Sequence, residues 1–271
     1  VSTPISAPPP TALLTVDGTP VHLEGSGPDT QVMLHGWPDS LVLWDALVAR
    51  LVTRRRCARF TLPCYDAADD RPAPTLDAMT AHIAAIVDAV SPQAKVTLVL
   101  HDWGAFYGYQ YAMRHPDRVA RIVGVDIGDT VSGEYLRSLP ARAKAMIVGY
   151  QSVLAMAHRL PARVGDAVTR RMARWLRAPA DPETIRARMN YPYAALLGGG
   201  FRGARPLRAA CPMLFVYGTR KPFMFHAPAW AERLAAAPGC AVQGLRTGHW
   251  VMTGEPEAFN RIVEDWLDGR G

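Results

Sequence analysis

Apolar positions along the chain follow two rhythms, and the rhythms alternate. "ALLTVDGTPVHLEG" reads as a hairpin turning at Asp17-Gly18, and "TQVMLHG" as a buried strand. In "LVLWDALVARLV" the apolar residues recur at helical spacing, with Asp39 or Ser40 placed to cap the start. "CARFTLP" is a further strand, and Thr75 opens the amphipathic helix "TLDAMTAHIAAIVDAV". The strand "KVTLVLHD" leads into the helix "AFYGYQYAMRH", stopped by Pro116, and then the strand "VARIVGVDIG".

Strands alternating with helices predict an α/β fold, a mostly parallel sheet flanked by helices on both faces. From about Thr130 to Pro206 the strand rhythm vanishes, leaving helical pieces punctuated by Pro140, Pro161, Pro179, Pro182 and Pro192. Alternation resumes with "PMLFVYG", "PAWAERLAAA", "CAVQGLR" and "PEAFNRIVEDWL". The expected organisation is a core of residues 1–129 and 207–271, flexible over 1–11, with a helical lid inserted at 130–206. A block in that place lies over the C-terminal ends of the strands, where open α/β sheets bind ligands. Neither an internal repeat nor a second sheet is visible.

Composition narrows the class. The chain has 271 residues and an apolar fraction of 49%, enough for one large α/β domain with a substantial core. No apolar run is long enough to span a bilayer. The Pro-rich start lacks the basic-then-apolar order of a secretory signal, and the missing initial Met leaves room for trimming. Cys57, Cys64, Cys211 and Cys240 show neither CxxC nor metal-site spacing, so they read as mostly buried thiols in a reducing, cytoplasmic setting. Of the net charge of +6, much falls between Arg137 and Arg208, where fourteen basic residues face three acids. Such a stretch attracts anions, but with no phosphate loop or RNA-binding motif it is expected to solvate helix surfaces.

The candidate chemistry sits at strand ends. "LHDWGA" puts Asp102 on a strand-to-helix turn with Gly104 two residues on, where a helix N-terminus and the Trp103 amide suit negative charge. Helix capping is the simpler role for such an Asp. "MLHGWPDS" supplies a loop whose Trp37 amide, with that of Trp103, can form an oxyanion hole; Pro38 makes a cis peptide plausible. In "LRTGHWVM", His249 follows the last strand and is placed to serve as a general base.

These motifs, in this order and on these elements, resemble the α/β-hydrolase superfamily over nearly the whole chain. Asp followed by Trp at the elbow is similar to the epoxide hydrolase and haloalkane dehalogenase branch. The resemblance implies that Asp102 attacks sp³ carbon to give an alkyl ester, which His249-activated water then hydrolyses. The triad acid that many relatives place after the strand matching "PMLFVYG" is missing, since "TRKPFMFHAPAWA" has no Asp or Glu. Asp126, at the end of "VGVD", is the expected acid, and Asp129 the substitute.

In soluble epoxide hydrolases two lid tyrosines donate to the opening ring. "YQ" at Tyr150-Gln151 resembles the first. "NYPY" resembles the second, with Tyr191 and Tyr193 straddling the expected place. The expected substrate-binding set is Trp37, Trp103 and Gln151. A halide would instead want weak N–H donors, such as the Trp103 indole. Epoxide hydrolysis without metal or other cofactor, on a small epoxide and water, is the expectation, in a monomer or homodimer with no nucleic-acid partner. Haloalkane or haloacetate dehalogenation is the alternative, and a non-catalytic ligand-binding relative is the third possibility.

Overall fold

The computed structural model describes residues 11–270. Apart from Thr11, the stretch expected to be flexible, 1–11, lies outside the described residues. The hairpin forms as Asp17 and Gly18 both take positive φ (47° and 74°), joining β1 (Thr11–Val16) to β2 (Thr19–Glu24). β3 (Thr30–Leu34), α1 (Asp45–Leu51), β4 (Arg56–Phe60), α2 (Leu76–Val90), β5 (Val96–His101), α3 (Trp103–Arg114) and β6 (Val119–Val125) follow. After the insertion come β7 (Met213–Gly218) and β8 (Ala241–Leu245). The eight strands lie in the order β1-β2-β4-β3-β5-β6-β7-β8, parallel from β4 onward across the sheet.

Both faces of the central strands are covered. Along β3, Val32 and Leu34 enter one apolar cluster while Met33 enters the other, and on β5 Leu98 and Leu100 oppose Val99 in the same way. α2 presents Leu76, Met79, Ile83, Ile86 and Val90 to the first cluster, a spacing of three to four residues. Each such side chain, moved fully out of water, contributes about 1.5–3 kcal/mol. Truncating Leu100 to alanine would cost about 2–5 kcal/mol.

The caps divide. Thr75 accepts a hydrogen bond from the Ala78 amide, as expected. The other capping expectation fails: Ser40 precedes a 3₁₀ turn and makes no side-chain cap, and the Asp39 carboxylate is taken by the Trp250 indole at 2.8 Å. A partner 211 residues away outcompetes the local amides.

Between β6 and β7 run α4 (Gly133–Ser138), α5 (Ala141–Arg159), α6 (Ala162–Leu176) and α7 (Tyr191–Leu197), with no strand among the described residues there. α5 packs against α6 and α7. Arg142, Arg163, Arg171, Arg174 and Arg177 of this block are exposed. α8 (Pro228–Ala235), α9 (Val251–Gly254) and α10 (Pro256–Leu267) complete the layers. No helix of the described residues is long and apolar enough to cross a membrane.

Candidate active site

The elbow between β5 and α3 holds Asp102 at φ 51°, ψ −126°, outside the usual regions for an L-residue. Close packing fixes it. A Cβ on Gly104 would lie 2.2 Å from the His35 carbonyl, and one on Gly36 would lie 2.4 Å from Asp102 Oδ1. Without Gly36 the neighbouring loop could not bring the Trp37 amide to Asp102 Oδ1, to which it donates at 2.6 Å. The Trp103 amide adjoins the same carboxyl and helps to lower its pKa. The peptide between Trp37 and Pro38 is cis. Of the two expected oxyanion-hole amides, that of Trp37 donates to Asp102 and that of Trp103 adjoins it, and the carboxyl makes no helix cap.

His249 links two carboxylates. Its Nε2 lies 3.3 Å from Asp102 Oδ2, and its Nδ1 donates to Asp126 Oδ2 at 2.6 Å. Asp126 is fully buried at the end of β6, also at positive φ (65°). Asp129 is occupied elsewhere: it accepts from the Ala227 amide and from the Ser132 hydroxyl, at the start of α4. Burial opposes the imidazolium, but the hydrogen bonds and charges of Asp102 and Asp126 outweigh it and raise His249 to about 9. Burial likewise opposes ionisation of Asp126, yet the Lys221 ammonium and His249 hold it at about 2. Burial also opposes ionisation of Asp102, but the bond and charge of His249, with smaller help from His101 and the Trp103 amide, together lower it.

Lys221 is a residue that sequence reading misses. Its side chain is 6% exposed, and its ammonium donates to Asp126 Oδ1, which also accepts from the Gly218 amide at 2.9 Å. It occupies the segment after β7 that carries no Asp or Glu before Glu232. Two buried histidines are further supports. His35 bonds the Gly36 carbonyl through Nδ1 and accepts from the Leu62 amide at Nε2; His101 Nε2 reaches the His249 carbonyl at 3.2 Å. Burial pushes them down to about 4 and about 3, so both are neutral at pH 7.

The insertion brings three tyrosines over this floor. Tyr193 packs edge-on against Trp103, Trp37 and Tyr150, with ring centroids 5.2, 6.0 and 6.1 Å apart. Burial first, and then the Asp102 charge, raise the phenols of Tyr150 and Tyr193, while Gln151 bonds Tyr150. Tyr191 turns the other way, toward Tyr65 and Tyr107. The Trp37 indole donates to Asn190 at 2.7 Å, Asn190 donates to Thr169, and Thr169 to the Gly165 carbonyl.

Residues 32–148 match the family model of the alpha/beta hydrolase fold. A haloalkane dehalogenase of Mycolicibacterium smegmatis is 35% identical over 103 residues, 36% of this chain and 33% of that protein. A cis-3-alkyl-4-alkyloxetan-2-one decarboxylase of Shewanella oneidensis is 31% identical over 121 residues, 42% of this chain and 38% of that protein. The chain spans between a fifth and two fifths of the length of these and the first-ranked curated relatives. Among solved structures, a Bacillus megaterium epoxide hydrolase bound to an inhibitor aligns with a TM-score of 0.72 at 18% identity, covering 95% of this chain and all of that one. The strand order, the elbow at its centre and these matches make this chain a protein of the α/β-hydrolase fold.

Proposed function

We propose that the chain is an epoxide hydrolase, with Asp102 as nucleophile, His249 as base, Asp126 as its partner and residues 130–206 as the lid. An Asp102 oxygen attacks one epoxide carbon, the ring C–O bond breaks, and the alkoxide takes a proton from Tyr150 or Tyr193. The enzyme is now a neutral alkyl ester. Loss of the Asp102 charge removes part of what held the His249 proton, so the imidazolium releases it to the phenolate. Neutral His249 then takes a proton from water, whose oxygen adds to the Asp102 carboxyl carbon while the Trp37 and Trp103 amides hold the oxyanion. Collapse expels the vicinal diol and restores both charges.

The observation that carries this reading is the bridge of His249 between Asp102 and Asp126, beneath Tyr150 and Tyr193. A dehalogenase would use the same bridge, and one relative bears that name. Against it, neither indole is free for a halide: that of Trp37 is given to Asn190, and that of Trp103 is engaged with the Tyr193 phenol. A receptor without catalysis has no use for a carboxylate held under two amides. The test is one turnover of styrene oxide in heavy-oxygen water. Label should enter Asp102 and not the diol, with no comparable bromide release from 1,2-dibromoethane. Label going directly into diol, or bromide release alone, overturns the proposal.

A further inference from the structure

Three phenols near the site have no role in the mechanism above. Tyr65, Tyr107 and Tyr191 are 2%, 0% and 2% exposed, and among the described residues none of their hydroxyls has a hydrogen-bond partner of ordinary geometry. They are neighbours: the Tyr65 and Tyr191 rings lie 6.1 Å apart edge-on, and the Tyr107 and Tyr191 hydroxyls shift one another's ionisation. Each also adjoins a different wall of the Asp102 site. Tyr65 packs on His35 at 5.2 Å, Tyr107 lies beside Trp103 at 6.2 Å, and Tyr191 is two residues from Tyr193. Buried hydroxyls are costly to leave unpaired, and three in one place call for a shared occupant.

We propose that Tyr65, Tyr107 and Tyr191 form a second subsite that takes an uncharged oxygen (ether, hydroxyl or carbonyl) carried by the substrate away from its reacting ring. The inference rests on the epoxide reading and narrows it to epoxides that bear a further oxygen. Burial keeps the three phenols protonated, so they act as donors. An anionic group is disfavoured because the Asp102 charge already acts on Tyr65 and Tyr107. Arg188, a cation beside Cys64, is taken up by the Arg71 carbonyl and the Cys64 thiol. The loop carrying Tyr65 is held in place, with Cys64 at φ 70° and its amide bound to Asp69.

The experiment compares isosteres that differ only in one oxygen. Calorimetry would measure binding of 3-propoxypropane-1,2-diol, 4-ethoxybutane-1,2-diol and heptane-1,2-diol. An apolar pocket favours the hydrocarbon. The subsite predicts that one ether binds about tenfold more tightly than heptane-1,2-diol, because a donor left unpaired discriminates against the analogue lacking its acceptor. The advantage should vanish in the Tyr65→Phe/Tyr107→Phe/Tyr191→Phe variant. The three single variants serve if the triple variant does not fold, each reducing the advantage. Equal binding, as when water satisfies the phenols, overturns the subsite, as does an advantage that survives substitution or the absence of binding by all three diols. Turnover of the matching epoxides without ether preference sinks the subsite alone. Ether-selective binding without turnover of any epoxide sinks the epoxide reading alone.

Discussion

Lys221 and His249 share the Asp126 carboxylate, one on each oxygen. A general base at neutral pH needs its partner acid to orient it without holding its proton too tightly, and the ammonium offsets part of the Asp126 charge. Asp102, His101 and Asp39 face His249 from other elements, and Lys221 is the cation bound to its partner.

Replacing Lys221 by methionine should therefore raise the His249 pKa and move the acidic limb of the kcat profile upward by about one pH unit. Leaving the buried carboxylate without its cation should also cost about 3–5 kcal/mol in urea unfolding. A profile that drops in height but keeps its position would assign Lys221 to stability alone.

His249→Gln should alkylate normally and then stall, because removing the base blocks only hydrolysis of the ester. Intact-mass measurement after mixing with an epoxide should show one added substrate mass. In Asp102→Asn that adduct should be absent. An adduct that forms on both variants would place the reaction elsewhere.

Tyr150→Phe and Tyr193→Phe should each lower kcat on epoxides by about a hundredfold, and together should abolish turnover. Tyr191→Phe should leave kcat on plain aliphatic epoxides within about threefold, as its ring packs on Tyr65 and its hydroxyl interacts with that of Tyr107. Steady-state diol formation checks all three.

Stability should fall between pH 6.5 and pH 4. His35, His101 and His226 have folded pKa values depressed to about 4, 3 and 4 by burial, so the unfolded chain binds protons that the native chain refuses. Their contribution is full above 6.5 and is lost as pH falls toward the folded values, at about 2–3 kcal/mol each. Asp39, raised to about 7 by burial, works in the opposite direction and offsets about one of them. His249, raised to about 9, contributes stability below 6.5 that is lost as pH rises through 9. Urea midpoints across pH 4 to 10 should peak between these limits.

Much of the floor of the site is legible in the sequence because it is local: the elbow, the His-Gly-Trp-Pro loop and His249 each sit at the end of a recognisable strand. What is illegible depends on pairing or on angle. A lysine three residues past a strand reads as solvated, and only the parallel register of β6 with β7 brings Lys221 to Asp126. Tyr191 and Tyr193 stand two residues apart on α7, about 200° around the axis, so they face opposite ways. Which one meets Asp102 is set by where the helix begins, and Pro192 in its first turn does not reveal that from sequence. Asp39 shows the same limit, since a distant indole takes the carboxylate that local pattern assigned to a cap.

The run from the Trp37 indole through Asn190 and Thr169 to the Gly165 carbonyl has a practical consequence. It ties the backbone that cradles Asp102 to α6, so a graft replacing the helical block wholesale would strand a buried indole hydrogen and slacken the cradle. Anyone reshaping the chamber for new substrates must carry Thr169 and Asn190 across with the transplant, or retune the loop at Trp37 to do without them.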